Sequence, residues 1–153
     1  MSTKEAIIMI GIQASGKSSF CRRIISDSFV RISLDELNTR NKEKELLSDC
    51  IAKEKNIVID NTNPTKADRE RYIPVLKENG YEVTGYFMQS RVKDCIRRNE
   101  DRQGKARVPA AAIAATSNKM ELPEYSEGFD KLFFVKLFHD DFFIDKWEKE
   151  DEV

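Results

Sequence analysis

With one histidine, three cysteines and no apolar run near the ~20 residues of a membrane span, this 153-residue chain lacks the raw material for several kinds of chemistry. His139 stands alone, without partners at zinc-type spacing, and reads as a surface residue. Cys21, Cys50 and Cys95 are odd in number and fall in no metal-ligand spacing, so they read as reduced thiols of the core or surface. There are no internal repeats and no low-complexity linkers, and Met1-Ser2-Thr3-Lys4-Glu5 leads into the first apolar run without a secretory pattern. The expectation is a cytoplasmic, single-domain protein with no membrane partner, long enough for a core but too short for a second catalytic module. A formal net charge of −1 gives no argument for a polyanionic partner, yet it hides an uneven distribution. Residues 137 to 153 hold seven acids against two lysines, a net of −5, which leaves +4 for residues 1 to 136. A mildly basic body permits nucleic acid without requiring it.

What is present is an alternation of short apolar runs with charged stretches, the pattern of a mostly parallel sheet wrapped by helices on both faces. It predicts an α/β three-layer sandwich of about five strands, at 5–10, 29–33, 56–60, 82–88 and 131–137. Helices are expected over 17–27, 35–55, 65–79, 91–103 and 109–120. Asn63 is the expected cap of the third helix, with Pro64 in its first turn, and Gly80 its stop. Lys42, Glu43, Lys44 and Glu45 read most simply as a solvated helix face. Phe138, Phe142, Phe143 and Trp147 have roughly helical spacing and read as a stripe docking the acidic tail, 137–153, onto the body at 1–136.

The first apolar run, Ala6-Ile7-Ile8-Met9-Ile10, is followed by Gly11-Ile12-Gln13-Ala14-Ser15-Gly16-Lys17-Ser18, which matches the phosphate-binding pattern GxxxxGK[ST] in its strand–loop–helix setting. Glycines let backbone N–H groups turn inward around phosphate oxygens, and the helix that starts at Lys17 adds its own N-terminal anion site. Lys17 is expected on the β- and γ-phosphates and Ser18 on Mg²⁺, with Gln13, Ala14, Ser15 and Ser19 completing the cradle. ATP and Mg²⁺ are thus the expected cofactors. Asn41-Lys42-Glu43-Lys44 lacks the aspartate of the guanine-reading NKxD signature, which disfavours a GTPase.

In an open α/β sheet ligands sit beyond the carboxyl ends of the strands. Asp35, just past the second run, is the candidate general base for a phosphoryl acceptor; the competing reading is a helix-cap acid. Ile57-Val58-Ile59-Asp60 resembles a Walker B strand whose acid holds Mg²⁺ or orients the site, and Asn61-Thr62-Asn63 follows with hydrogen-bonding side chains that equally suit a turn. Between Arg97 and Arg107 lie five basic residues. Arg97 is explained by Glu100 and Asp101, and Arg98 by Asp94 four residues earlier. Arg102 stacks one turn from Arg98, a like-charge pair that an ATP phosphate would relieve in an arginine-rich helical lid hinged at Gly104; a solvated basic helix is the alternative.

These residues resemble the P-loop polynucleotide 5′-hydroxyl kinases of phage and animal repair enzymes, over residues 6 to about 136. The likeness rests on Gly11 to Ser18, Ile32 to Asp35, Ile59-Asp60-Asn61-Thr62-Asn63-Pro64, Arg98-Asn99 with Arg102, Val108-Pro109 and Tyr125-Ser126-Glu127-Gly128-Phe129. It implies transfer of the ATP γ-phosphate to a 5′-hydroxyl, with Asp35 as base, Lys17 and Ser18 on phosphates and Mg²⁺, Arg98 and Arg102 as lid arginines, and Asp60 supporting acceptor or metal. Asp35, Asn38, Asp60, Thr62 and Asn63 then form the acceptor side. The kinases usually carry arginine just before the catalytic aspartate, and the phage enzymes another three residues after it; here Leu34 and Asn38 stand there, with Arg31, Arg40 or Lys42 as possible substitutes. Three functions fit: a kinase of 5′-hydroxyl DNA or RNA ends, a small-molecule or nucleotide kinase using the same residues, and a nucleotide-dependent switch.

Overall fold

The computed structural model describes residues 4 to 148. Along the chain run β1 (Lys4–Ile10), α1 (Lys17–Arg23), β2 (Val30–Ile32), α2 (Leu34–Leu37), α3 (Arg40–Ala52), β3 (Ile57–Ile59), α4 (Lys66–Glu70), α5 (Ile73–Glu78), β4 (Tyr81–Met88), α6 (Val92–Glu100), α7 (Ala110–Lys119), β5 (Lys131–Phe138) and β6 (Asp141–Lys146). Single 3₁₀ turns occupy Gly104–Ala106 and Tyr125–Glu127.

The strands form one sheet in the order β2-β3-β1-β4-β5-β6, parallel except for β6, which runs antiparallel to β5. The alternation of side chains along β1 explains the layering: Ala6, Ile8 and Ile10 join the core on one face, while Ile7 and Met9 join the core on the other. A third cluster, Ile12, Ala14, Cys95 and Ile113, packs α6 and α7 beneath the phosphate loop. The chain leaves β1 for β2 and β3 on one side and returns to β4 on the other, so the switch in strand order falls at the carboxyl end of β1.

Several boundaries differ from the sequence pattern, each for a local reason. The predicted helix 35–55 is two helices, because Asn38 adopts a left-handed φ of 70° and Thr39 starts α3 by accepting a hydrogen bond from the Lys42 N–H. The cap expected at Asn63 is made by Thr65, in a reciprocal box with Asp68; Asn63 has φ 44° and spends its side chain elsewhere. The predicted 65–79 is α4 and α5, and Gly80, at φ 80°, lies just past the end. The aromatic residues expected at helical spacing fall on a hairpin instead: Phe138 ends β5, Phe142 and Phe143 lie in β6, and Trp147 follows it. Phe142 and Trp147 pack on the body, while Phe138 and Phe143 stay exposed. Glu150, Asp151 and Glu152 of the acidic tail lie outside the described residues. The three cysteines are buried and free, His139 is exposed, and among the described residues no helix is long and apolar enough to cross a membrane.

Candidate active site

The phosphate loop follows β1 at the switch in strand order, and backbone geometry shapes it. Gly16 has φ 101°, a conformation that L side chains rarely adopt; an added Cβ would stand 3.2 Å from Leu137 Cδ2 and 3.5 Å from Phe142 Cε1. At Gly11 an added Cβ would come within 2.6 Å of Ser15 Oγ. Ala14 takes a left-handed φ of 63° despite its methyl group, and that methyl belongs to the cluster with Ile12, Cys95 and Ile113. The loop is anchored from outside: Gly11 N–H donates to Thr62 O at 3.0 Å, Ile12 N–H to Ser90 Oγ at 3.2 Å, and Gln13 Nε2 to Thr116 Oγ1 at 3.0 Å.

Lys17 is buried and its Nζ donates to Ile12 O at 2.9 Å, folding the side chain back across the loop. Burial pulls its ammonium down to about 8, against the raising effect of the Asp60 carboxylate, and the Arg102 guanidinium adds to the fall. A cavity of about 620 Å³ opens beside it, in the range of small-molecule sites, and its walls bring together Gln13, Lys17, Ser18, Asp35, Asp60 and Arg102. Ala14, Ser19 and Thr62 also face it. Asn38 is absent from the walls; its Nδ2 donates to Glu36 O, while Asn63, which does reach the cavity, is held by a 2.8 Å bond from its Nδ2 to Met9 O.

Ser18 Oγ donates to Asp60 Oδ2 at 3.1 Å. This hard-oxygen pair fits Mg²⁺, which is usually held by one or two carboxylates together with substrate phosphates and water, and no cluster of three or more His, Cys, Asp or Glu exists among the described residues. Arg31 also reaches both atoms, with Nε donating to Asp60 Oδ2 at 2.7 Å and Nη2 to Ser18 Oγ at 3.2 Å.

Behind Leu34, Arg40 and Asn61 of the cavity lining lies a hydrogen-bond network that the charge pattern conceals. Glu43, read from its neighbours as solvated, is buried: one side of the α3 surface turns inward and its carboxylate finds donors there. Tyr72 OH donates to it at 3.0 Å, Asn61 Nδ2 at 2.9 Å and Arg40 Nη1 at 2.9 Å. Asn61 Oδ1 in turn accepts from Leu34 N–H at 2.9 Å, so the network reaches the first turn of α2, where Asp35 projects into the cavity. Arg40 faces the same cavity with its side chain 48% exposed. Lys42 is exposed and away from the cavity walls. Only the distance of Tyr72 from Glu43 in sequence kept this network from view; no periodic signal marks it.

The arginine stretch also differs from its sequence reading. Arg97, not Arg98, pairs with Asp94, at 3.5 Å. Arg98 Nη1 donates to Ala14 O at 2.9 Å, bracing the strained residue of the phosphate loop from below. Because α6 stops at Glu100, Arg102 lies beyond the helix; its Nη1 donates to Ala106 O at 3.3 Å and it faces the cavity.

Comparison with known proteins agrees with this architecture. An AAA domain family model matches residues 7–123. Among curated proteins, a putative bifunctional polynucleotide phosphatase/kinase of Acanthamoeba polyphaga mimivirus is 33% identical over 155 residues, covering 95% of this chain and 37% of that protein. A bifunctional polynucleotide phosphatase/kinase of Schizosaccharomyces pombe is 28% identical over 130 residues, covering 82% of this chain and 32% of that one. The chain thus spans about a third of the length of the curated relatives it matches. Among solved structures, Chaetomium thermophilum Kti12 in complex with ADP-AlF3 shares the fold, with a TM-score of 0.63, 20% identity and coverage of 89% of this chain and 90% of that one. With its phosphate loop at the end of β1 and its resemblance to polynucleotide kinases running over nearly its whole length, the chain belongs to the AAA domain family.

Proposed function

We propose that the protein is an ATP-dependent kinase that transfers the γ-phosphoryl group to the 5′-hydroxyl end of DNA or RNA. The observation that carries this reading is a single cavity whose lining brings together Lys17, Ser18, Asp60, Asp35 and Arg40. The names of the two curated relatives support the choice of acceptor.

In this reading the phosphate loop N–H groups and Lys17 hold the β- and γ-phosphates, and Arg102 faces the same charge. Asp35 accepts the proton of the acceptor hydroxyl as the new O–P bond forms; the bond from the γ-phosphorus to the β,γ-bridging oxygen breaks, and ADP leaves with that electron pair. Ser18 and Asp60 would hold Mg²⁺, which would supply positive charge against that of the phosphates. Arg98 keeps the loop in shape through Ala14, and Thr62, two residues after Asp60, also faces the cavity. Arg40 replaces the basic residues that the kinases carry at the positions of Leu34 and Asn38: its Nη1 is spent on Glu43 and Tyr72, which fixes the guanidinium with its remaining edge toward an acceptor phosphate. The three buried free thiols suit a reducing compartment such as the cytoplasm.

Leu34, an apolar side chain on the cavity wall beside Asp35, favours the second reading, a kinase of small alcohols or nucleosides. Label transfer from γ-labelled ATP to a panel of 5′-hydroxyl DNA, RNA, nucleosides and small alcohols separates the two. The polynucleotide reading expects oligonucleotides as the better acceptors, with KM rising steeply with salt as phosphate contacts release counterions. Turnover of nucleosides or alcohols that is indifferent to salt, with none on oligonucleotides, rejects it.

A further inference from the structure

The two oxygens that fit Mg²⁺ already share a cation of the protein's own. Arg31 Nε lies 2.7 Å from Asp60 Oδ2, its Nη2 lies 3.2 Å from Ser18 Oγ, and its Nη1 meets Glu36 Oε1. Strand pairing enforces this position: β2 runs parallel to β3 with Arg31 opposite Val58 and Ile32 opposite Ile59, which sets the arginine beside the acid that follows Ile59. The Asp60 side chain is 1% exposed. A carboxylate buried to that degree needs a charge partner, and Arg31 supplies it. The same guanidinium, within hydrogen-bond reach of both donor oxygens, repels any second cation that approaches them. Glu36 already holds the Nη1 edge of Arg31 from the rim, its side chain 65% exposed on α2 next to Asp35, so it can keep the guanidinium when Asp60 lets go.

We propose that Arg31 is the resident counter-ion of the Ser18–Asp60 seat: it keeps this pair closed to a free divalent cation until nucleotide phosphates arrive, and then withdraws onto Glu36. The inference rests on the reading of Ser18 and Asp60 as metal-facing groups, which the experiment tests separately. By this device the metal enters together with the triphosphate rather than before it, because only the phosphates bring enough negative charge to outweigh the arginine.

Mn²⁺ titrated into the full chain and followed by the electron paramagnetic resonance signal of the free ion reads the seat without any turnover. Without nucleotide, Arg31→Gln is expected to bind Mn²⁺ at least tenfold more tightly than the unaltered protein, and the gain should shrink below threefold when a non-hydrolysable ATP analogue is present. Equal nucleotide-free affinities overturn the proposal, as does an Arg31→Lys protein that binds as tightly as Arg31→Gln, since the charge is the stated cause. Adding Asp60→Asn to Arg31→Gln should erase the gain; a gain that persists places the ion elsewhere and removes the metal reading itself. If Arg31→Gln fails to fold, Glu36→Gln serves on the rim: it leaves Arg31 wholly to Asp60, so Mn²⁺ uptake in the presence of the analogue should weaken at least threefold, and an unchanged affinity overturns the proposal.

Discussion

The phosphate loop and its helix run unbroken from Gly11 to Arg23, whereas the other wall collects Leu34, Arg40 and Asn61, backed by Glu43 and Tyr72, from separate stretches of the chain. The first wall is held by backbone shape: a strand end, two left-handed residues and a helix start. The second is held by side-chain hydrogen bonds around one buried carboxylate, and α2, the helix that presents Asp35, has only four residues of its own. A helix that short has little intrinsic stability. Its direction therefore depends on Asn61 and, through it, on Glu43. The comparison teaches that the phosphate loop draws its shape from its own backbone and a few outside anchors, while the placement of Asp35 rests on Glu43 and Tyr72, side chains that do not line the cavity.

The sharpest way to break this comparison is Asp35→Asn, which should lower kcat by about 10²–10⁴ while leaving ATP affinity within a few fold. Rates of label transfer beside calorimetric titration with ATP check it. A parallel collapse of nucleotide binding would mean that the two walls are not separate.

Glu43→Ala comes next. It strands Tyr72 OH, Asn61 Nδ2 and the inner edge of Arg40 without their common acceptor, and urea unfolding should show a loss of about 2–4 kcal/mol. Acceptor KM should rise more than ATP Kd. A variant as stable as the parent, with an unchanged ratio of the two constants, would show the network to be ornamental.

Titration sharpens the nucleotide side. The folded Lys17 ammonium gives up its proton near pH 8, while in the unfolded chain it holds it to 10.5. Between those values the unfolded state binds more protons, so the stability of the nucleotide-free protein should gain from Lys17 as pH rises, and a Lys17→Met protein should lack that gain. ATP affinity should move the other way, falling above pH 8 as the charge on Lys17 is lost. Chemical denaturation and ATP titration across pH 7 to 10.5 check both signs.

The smallest expected effect is at Ala14. Glycine there relieves the left-handed backbone, worth about 1–2 kcal/mol. It loses about 0.8 kcal/mol of methyl burial and a further 0.4–1 kcal/mol through unfolded-state entropy. Ala14→Gly should thus shift stability by less than about 1 kcal/mol, whereas Gly16→Ala, strained at φ 101° and crowded by Leu137, should cost more. Thermal melts of the two variants compare them directly.

The strand–loop–helix that begins at β1, the acid after β3 and the mostly parallel character of the sheet were all legible, because each is encoded by neighbours in sequence: short apolar runs between charged stretches, glycine spacing, an apolar run ending in Asp60. What escaped depends on contacts over long separations. Glu43 lies among Lys42, Lys44 and Glu45, and only Tyr72 and Asn61 reveal why it faces inward. Spacing assigns Arg98 to Asp94 and the family likeness makes it a lid arginine, yet its Nη1 bonds Ala14 O, 84 residues away. The aromatic residues after 137 defeat periodicity for a different reason: the turn at His139 and Asp140, both at positive φ, resets the register, so Phe142 and Trp147 reach the body from a strand and not from a helix.

That turn also decides how the chain can be trimmed. Phe142 packs edge-on against Phe20 of α1, and with Leu137 it backs Gly16, so the far end of the polypeptide forms the rear support of the nucleotide cradle. Trp147, past the other end of β6 and on the opposite face of the sheet, wedges its ring against Phe87 and Phe134 and donates its indole N–H to Pro123 O at 2.9 Å. A fragment cut after residue 136 would keep every residue of the phosphate motif and lose the buttress that holds it in place.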